Sequence, residues 1–193
     1  MGQAVGCAAA IATRDNLTAR AVGTQRLHEL QQTLLHDDCY LPWITHELPP
    51  ATMHASLTAS QGDAEPVRDG ISRQVGENEH SWRCAPGDTL TYTFAEPTPL
   101  RQLTLLLDSG LDLNIAMSFH QLDDQLTAPP PPLPKALRLE TWRDGVWCPL
   151  ITLTDNYQRV VRIPLNGTFA ALRFTLDATW GAGESRVYGC YVE

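Results

Sequence analysis

An all-β sandwich of jelly-roll type, preceded by a short α-helical segment, is the fold class that the sequence predicts. Three observations predict it. Over residues 171–177 apolar and polar side chains alternate: Leu172, Phe174 and Leu176 point one way, Arg173, Thr175 and Asp177 the other. That period of two is the mark of a half-buried strand. Residues 137–143 and 146–153 flank Asp144-Gly145, a pair suited to the positive φ angles of a type I′ hairpin turn. Finally, turn signals separate roughly eight or nine short strand-like segments, the spacing of a sandwich.

The chain opens differently. Residues 2–13 are small and apolar, with Gly2 and Gly6 among alanines, and predict a helix without a polar face. Such a helix belongs in the core of a larger domain. Residues 17–22 suggest a second short helix. Thr24 is placed to cap a third, in which Leu27, Leu30, Leu34 and Leu35 share a face. Pro42 enforces an extended exit, and Pro49-Pro50 marks a boundary between a helical segment, residues 1–48, and a β domain, residues 51–193.

Within the β domain, residues 54–60 alternate like an edge strand, and residues 62–79 read as loop with a turn at Asp69-Gly70. Short strands follow at 81–84, 89–94 (Leu90, Tyr92 and Phe94 on one face), 101–107 and 114–120. Four prolines at 129–132 form a stiff crossing. A strand at 157–165 ends at an Asn166-Gly167 turn, and residues 171–177 and 185–192 form a closing hairpin.

Two resemblances rest on these residues. The SLTAS run at 56–60, Asp69-Gly70, Ser81-Trp82 and the closing RVYGCYVE at 186–193 resemble a galactose-binding-like (discoidin-type) β-sandwich. The GQAVGCAAA run at 2–10, ELQQTLLHDDCYLP at 29–42 and DNYQR at 155–159 resemble the C-terminal part of a bacterial FAD-dependent oxidoreductase family, similar to fumarate reductase flavoproteins. The second resemblance implies that residues 1–48 are a remnant of a flavin-binding domain, and that Gly2, Gln3 and Ala4 approach a flavin edge. It also implies that the sandwich covers the missing flavin domain or shapes substrate access. No GxGxxG follows a strand here, so FAD belongs to the parent family and is not held by this chain alone, which is expected to be inactive by itself.

Net charge is −8, from 14 basic and 22 acidic residues, which argues against a nucleic-acid surface. The apolar N-terminal run is too short to span a bilayer and lacks a basic flank, so a cytoplasmic protein is expected. Five scattered cysteines without CxxC spacing suit buried thiols better than a disulfide framework or a metal site. Cys7 near the helix tip reads as a packing residue more readily than a redox group. The six histidines lack i, i+4 pairing, and Asp123-Asp124 and Asp37-Asp38 read as caps and loops.

An alternative function is a carbohydrate-binding module. It needs an aromatic plate and fixed polar groups. Trp180, in a glycine-flanked loop, is the best plate, with Arg73, Glu77 and His80 in a loop that reaches the same end. Asp63 and Asp69 offer oxygen ligands for calcium, but no dense acidic loop surrounds them. A third reading is a structural or oligomerisation domain that self-associates through the exposed small-residue helix.

Overall fold

The computed structural model describes residues 1–110, 113, 126 and 128–193. The strand expected at 114–120 and the Asp123-Asp124 pair lie outside the described residues. The chain divides into two compact units, Met1–Glu47 and Leu48–Glu193.

The first unit holds α1 (Gly2–Asp15), α2 (Ala19–Gln25) and α3 (Leu27–His36). The alanine run sustains α1 until Asn16 turns left-handed at φ 52°, an asparagine C-cap, and Leu17 N–H returns to Ala12 O at 2.8 Å. Thr24 does not cap α3. It lies inside α2, where its hydroxyl bonds back to Arg20 and Ala21 carbonyls, and Thr18 caps α2 by accepting from Ala21 N–H. Ile11, Val22, Leu34 and Leu35 are buried, while Leu27 stays 47 % exposed and so leaves the expected leucine stripe. Gly2 and Gln3 stand exposed in the first turn of α1. Gln32 clamps the following tail, donating to Thr45 O and accepting from Glu47 N–H.

The second unit is antiparallel. After a short helix α4 (Pro50–His54) come β1 (Ser56–Ala59), β2 (Trp82–Cys84), β3 (Thr89–Leu107), β4 (Pro134–Arg143), β5 (Val146–Leu153), β6 (Val160–Thr179) and β7 (Ser185–Val192). The edge strand read from residue 54 therefore starts later, because Pro50 in the first turn starts a helix through His54.

Two strands are longer than their sequence segments, and this makes the sandwich. The first half of β3 pairs with β1 and with the second half of β6; its second half pairs with β7 and with the first half of β6. Register breaks after Thr93 and after Leu100, around Pro97 and Pro99, bend the β3–β6 ribbon from one layer into the other. One layer is β1–β3–β6–β4–β5 and the other β2–β7–β3–β6. The facing sides meet in one core: Trp82 of one layer touches Phe174 of the other edge-on, with centroids 6.5 Å apart, and Tyr92 Oη donates to Cys190 O at 2.6 Å.

Three expectations are corrected by this topology. Asn166-Gly167 is not a hairpin turn, because β6 runs through it. The Phe169 ring packs over Gly167, 3.4 Å from where a Cβ would stand, which is ordinary van der Waals contact. Residues 160–165 and 171–177 are thus parts of one strand, and 157–159, read as its start, belong to the connection before it. β6 and β7 do not form a closing hairpin either, since β3 lies between them and the 180–184 connection crosses between layers. Asp144 (φ 48°) and Gly145 (φ 83°) do take the positive φ angles of the expected turn.

Thr52 of α4, wholly buried, ties this unit closed. Its hydroxyl donates to Val192 O (2.9 Å) and accepts from Val192 N–H (2.8 Å). Thr52→Val keeps the shape and orphans both backbone groups. A loss of about 2–4 kcal/mol is expected, read as a lower urea midpoint with unchanged slope.

Candidate functional site

One end of the sandwich carries the connections 60–81, 85–88, 154–159 and 180–184, together with residues 108–110 and 128–133. This follows from the register, which puts the ends of β1, β2, β3 and β5 beside the starts of β4 and β7. Arg73, Glu77, His80 and Trp180 all fall on these connections.

Trp180 is half-buried and packs against the main core. Its backbone N–H donates to Leu133 O (3.0 Å) and its indole N–H to Asn156 O (2.7 Å), so the ring cannot turn. The ring of Tyr157 lies 4.8 Å from it, tilted by 40°, and Lys135 Nζ stands 4.7 Å from its centroid. Tyr157 is 64 % exposed, so an aromatic ring backed by a second one faces solvent.

Asn156 builds this arrangement. It is buried, its side-chain amide donates to Pro134 O and Gln158 O (both 2.9 Å), and its oxygen accepts from Gln158 N–H. Its own N–H donates to Lys135 O at 2.9 Å. The 154–159 connection is therefore stitched to the start of β4, which holds Tyr157 out and Lys135 beside Trp180. Asp155 lies 3.9 Å from Lys135 Nζ. A cleft of about 630 Å³ opens alongside, lined by Leu153, Asp155, Tyr157, Gln158, Arg162 and Ile163 among others.

The proline crossing serves the same end of the molecule. Leu133 N–H turns back to Pro130 O, and Ala182 N–H donates to Pro131 O, so the tract pins the Trp180 connection.

Arg73, Glu77 and His80 lie on the 60–81 connection. His80 Nδ1 lies 2.6 Å from Asp69 Oδ2, and the same carboxylate accepts from Ile71 N–H. Glu77 is exposed beside Gly76 in a tight turn closed by Val75 and Asn78, and Arg73 is half-buried in the same connection. Trp180 has Asn156, Tyr157 and Lys135 as neighbours. Arg159 links the two connections, donating to Ser72 O and, at 2.8 Å, to Leu107 O.

Asp63 accepts from Glu65 N–H at the start of a short 3₁₀ turn, and Asp69 is engaged as described. Among the described residues no group of three His, Cys, Asp or Glu side chains is set to hold a metal. A second cleft, about 260 Å³, opens beside Arg83, Asp108, Glu184 and Arg186; among the described residues no aromatic ring lines it. Among the described residues no helix is long and apolar enough to cross a membrane.

Tyr157, Lys135 and Asn156 are the parts of the site that sequence reasoning missed. Tyr157 follows an asparagine and precedes a strand, and a signal for its exposure would have required knowing that Asn156 reaches Pro134.

No protein-family model matches the chain, and no curated protein does. Solved structures do. The family 32 carbohydrate-binding module of Streptococcus pneumoniae EndoD is similar with a TM-score of 0.53 at 14 % identity, over 72 % of this chain and 94 % of that one. The family 32 module of C. perfringens NanJ, in complex with galactose, gives 0.51 at 10 %, over 74 % and 95 %. The GH31 CBM32-2 module bound to GalNAc gives 0.52 at 13 %, over 72 % and 97 %. At these identities the likeness is one of fold: the β unit is a galactose-binding-like sandwich.

These neighbours overturn the expectation that the sandwich serves as a cover for a flavin domain. They are binding modules, and the loop end carries an aromatic surface suited to a ligand. Six of the nine residues in the GQAVGCAAA run that suggested the oxidoreductase are glycine or alanine, a composition that many helices share.

Proposed function

We propose that the β unit is a carbohydrate-binding module that takes a neutral hexose of the galactose type on Tyr157. The observation that carries this reading is the solvent-facing Tyr157 ring, backed by a Trp180 whose indole is pinned to Asn156. A pyranose presents a face of C–H groups that packs on such a ring and a rim of hydroxyls that needs donors and acceptors. Lys135 supplies a donor at that rim and Asp155 an acceptor, and the cleft beside them leaves room for further sugar residues. The galactose and GalNAc bound by two of the fold neighbours support the choice of hexose. Because Asn156 and Trp180 hold the plate before binding, little ordering remains for the ligand to impose.

The test is a glycan array followed by titration calorimetry with galactose. Tyr157→Ala is expected to weaken binding by tenfold or more, about 1.4 kcal/mol, with an unchanged melting temperature in the absence of sugar. Trp180→Ala is expected to weaken it similarly and to lower the melting temperature as well, since that ring also packs on the core. A silent array, together with no sugar-induced rise in melting temperature, overturns the proposal.

A further inference from the structure

At the far end of β4 from Lys135 a second aromatic surface is built on the outside of the sheet. Trp142 of β4 pairs across the hairpin with Trp147 of β5; the indoles meet at 66° with centroids 5.2 Å apart. Trp142 is 41 % exposed. Trp147 is held in turn by Arg173, whose guanidinium lies 4.3 Å from its ring centroid. Arg173 is held by Glu140, which is 8 % exposed and accepts from both Nε and Nη2 at 2.9 Å. A buried carboxylate thus fixes a guanidinium, which fixes one indole, which fixes the exposed one.

Pairing across a hairpin accounts for the contact between the tryptophans but asks for no solvent-facing ring and no buried carboxylate behind it. The charges on this face also cancel locally. Arg173 is matched by Glu140, and Arg138 by Asp177 at 3.0 Å. The face therefore offers an aromatic plate, fixed polar groups and little net field, which complements a neutral polyhydroxylated chain and disfavours an ionic one.

We infer that Trp142, supported by Trp147, Arg173 and Glu140, is a second carbohydrate-binding plate that engages a neutral polysaccharide on the outer sheet face. The choice of ligand class rests on the reading of the loop end above. Lys135 and Trp142 are seven positions apart on β4, about 23 Å at a strand's rise per residue. A single hexose reaches one plate, whereas a chain or a branched glycan reaches both. Two weak sites on one rigid unit then act with the effective concentration of a tethered pair, which raises avidity by about 10²–10⁴ where the geometry allows both to engage.

The whole chain is titrated with galactose and with a soluble galactan. Trp142→Ala is expected to leave galactose affinity within about twofold and to weaken galactan binding by about tenfold or more. Trp142→Tyr, which keeps a plate, is expected to restore most of the loss. Unchanged galactan affinity in Trp142→Ala, with binding abolished by Tyr157→Ala, overturns this inference and leaves the loop-end reading standing. Galactan binding that falls with Trp142→Ala but not with Tyr157→Ala supports the sheet-face plate and removes the other. Equal losses for galactose and galactan in Trp142→Ala mark a structural role and overturn the inference, and a wild-type chain that binds neither sugar overturns both.

Discussion

Raising the pH from 9 to 12 is expected to unfold the β unit in a reducing buffer. Cys84 and Cys190 are each 1 % exposed, and burial pushes both thiols up to about 12 from an ordinary value of 9.0. For Cys84 the carboxylates of Asp88 and Asp108 add to the same effect. In the unfolded chain the thiols lose their protons near 9. Between those two values the unfolded state binds fewer protons than the folded one, so stability falls as pH rises. The contribution is complete below pH 9 and gone above pH 12. A gap of about three pH units amounts to about 4 kcal/mol per thiol, and two thiols approach the total stability of an ordinary domain. Tyr92, whose phenol is raised well above 10.0 chiefly by burial, acts in the same direction. Urea midpoints at pH 8, 9, 10 and 11 should fall steeply over the last two steps, and Cys190→Ala should flatten the fall. A level midpoint from pH 9 to 11 would show that these thiols ionise without unfolding the unit. The same raised values make both thiols poor nucleophiles at neutral pH, so the buried cysteines serve packing.

What could be read in advance follows from how local each feature is. The period-two alternation of residues 171–177 names its own buried face, and Leu172, Phe174 and Leu176 are all in the core. Asp144-Gly145 needs only its own two φ angles. Asn166-Gly167 carries the same kind of signal and means something else, because β3 pairs with β6 straight through it, Leu100 opposite Gly167. The β6–β7 hairpin failed for a longer-range reason: β3, some eighty residues earlier, takes the position between those strands. The site shows the same division. Trp180 stood out as an aromatic ring among glycines. Its companions did not, since Tyr157 and Lys135 come together through the buried amide of Asn156, a contact made across 22 residues. Arg73, Glu77 and His80 share the loop end by topology, yet His80 is engaged by Asp69, and neither the end of the sandwich nor the residue types foretold that pairing.

Trp82→Ala is expected to cost about 3–5 kcal/mol, the largest loss for a single substitution in the core. Trp82 is 1 % exposed, meets Phe174 edge-on across the two layers, and donates its indole N–H to Gln61 O at 2.8 Å. Alanine empties the contact between layers and also releases the start of the 60–81 connection. Trp82→Phe keeps much of the volume and orphans only the Gln61 carbonyl, so a loss of about 1–3 kcal/mol is expected. The order Ala, then Phe, then wild type in guanidinium midpoint checks this, and equal midpoints for the two variants would show that the hydrogen bond, not the ring, dominates. The same pair of variants separates stability from binding. Trp82 braces the connection that carries Arg73, Glu77 and His80, while the proposed sugar plate is held by Asn156 from the 154–159 connection. At a temperature where Trp82→Phe remains folded, its galactose affinity should therefore match that of the wild type, whereas Tyr157→Ala should lose affinity at full stability. A Trp82→Phe protein that is folded but no longer binds would move the site to the 60–81 connection, with Arg73 and His80 as the groups to substitute next.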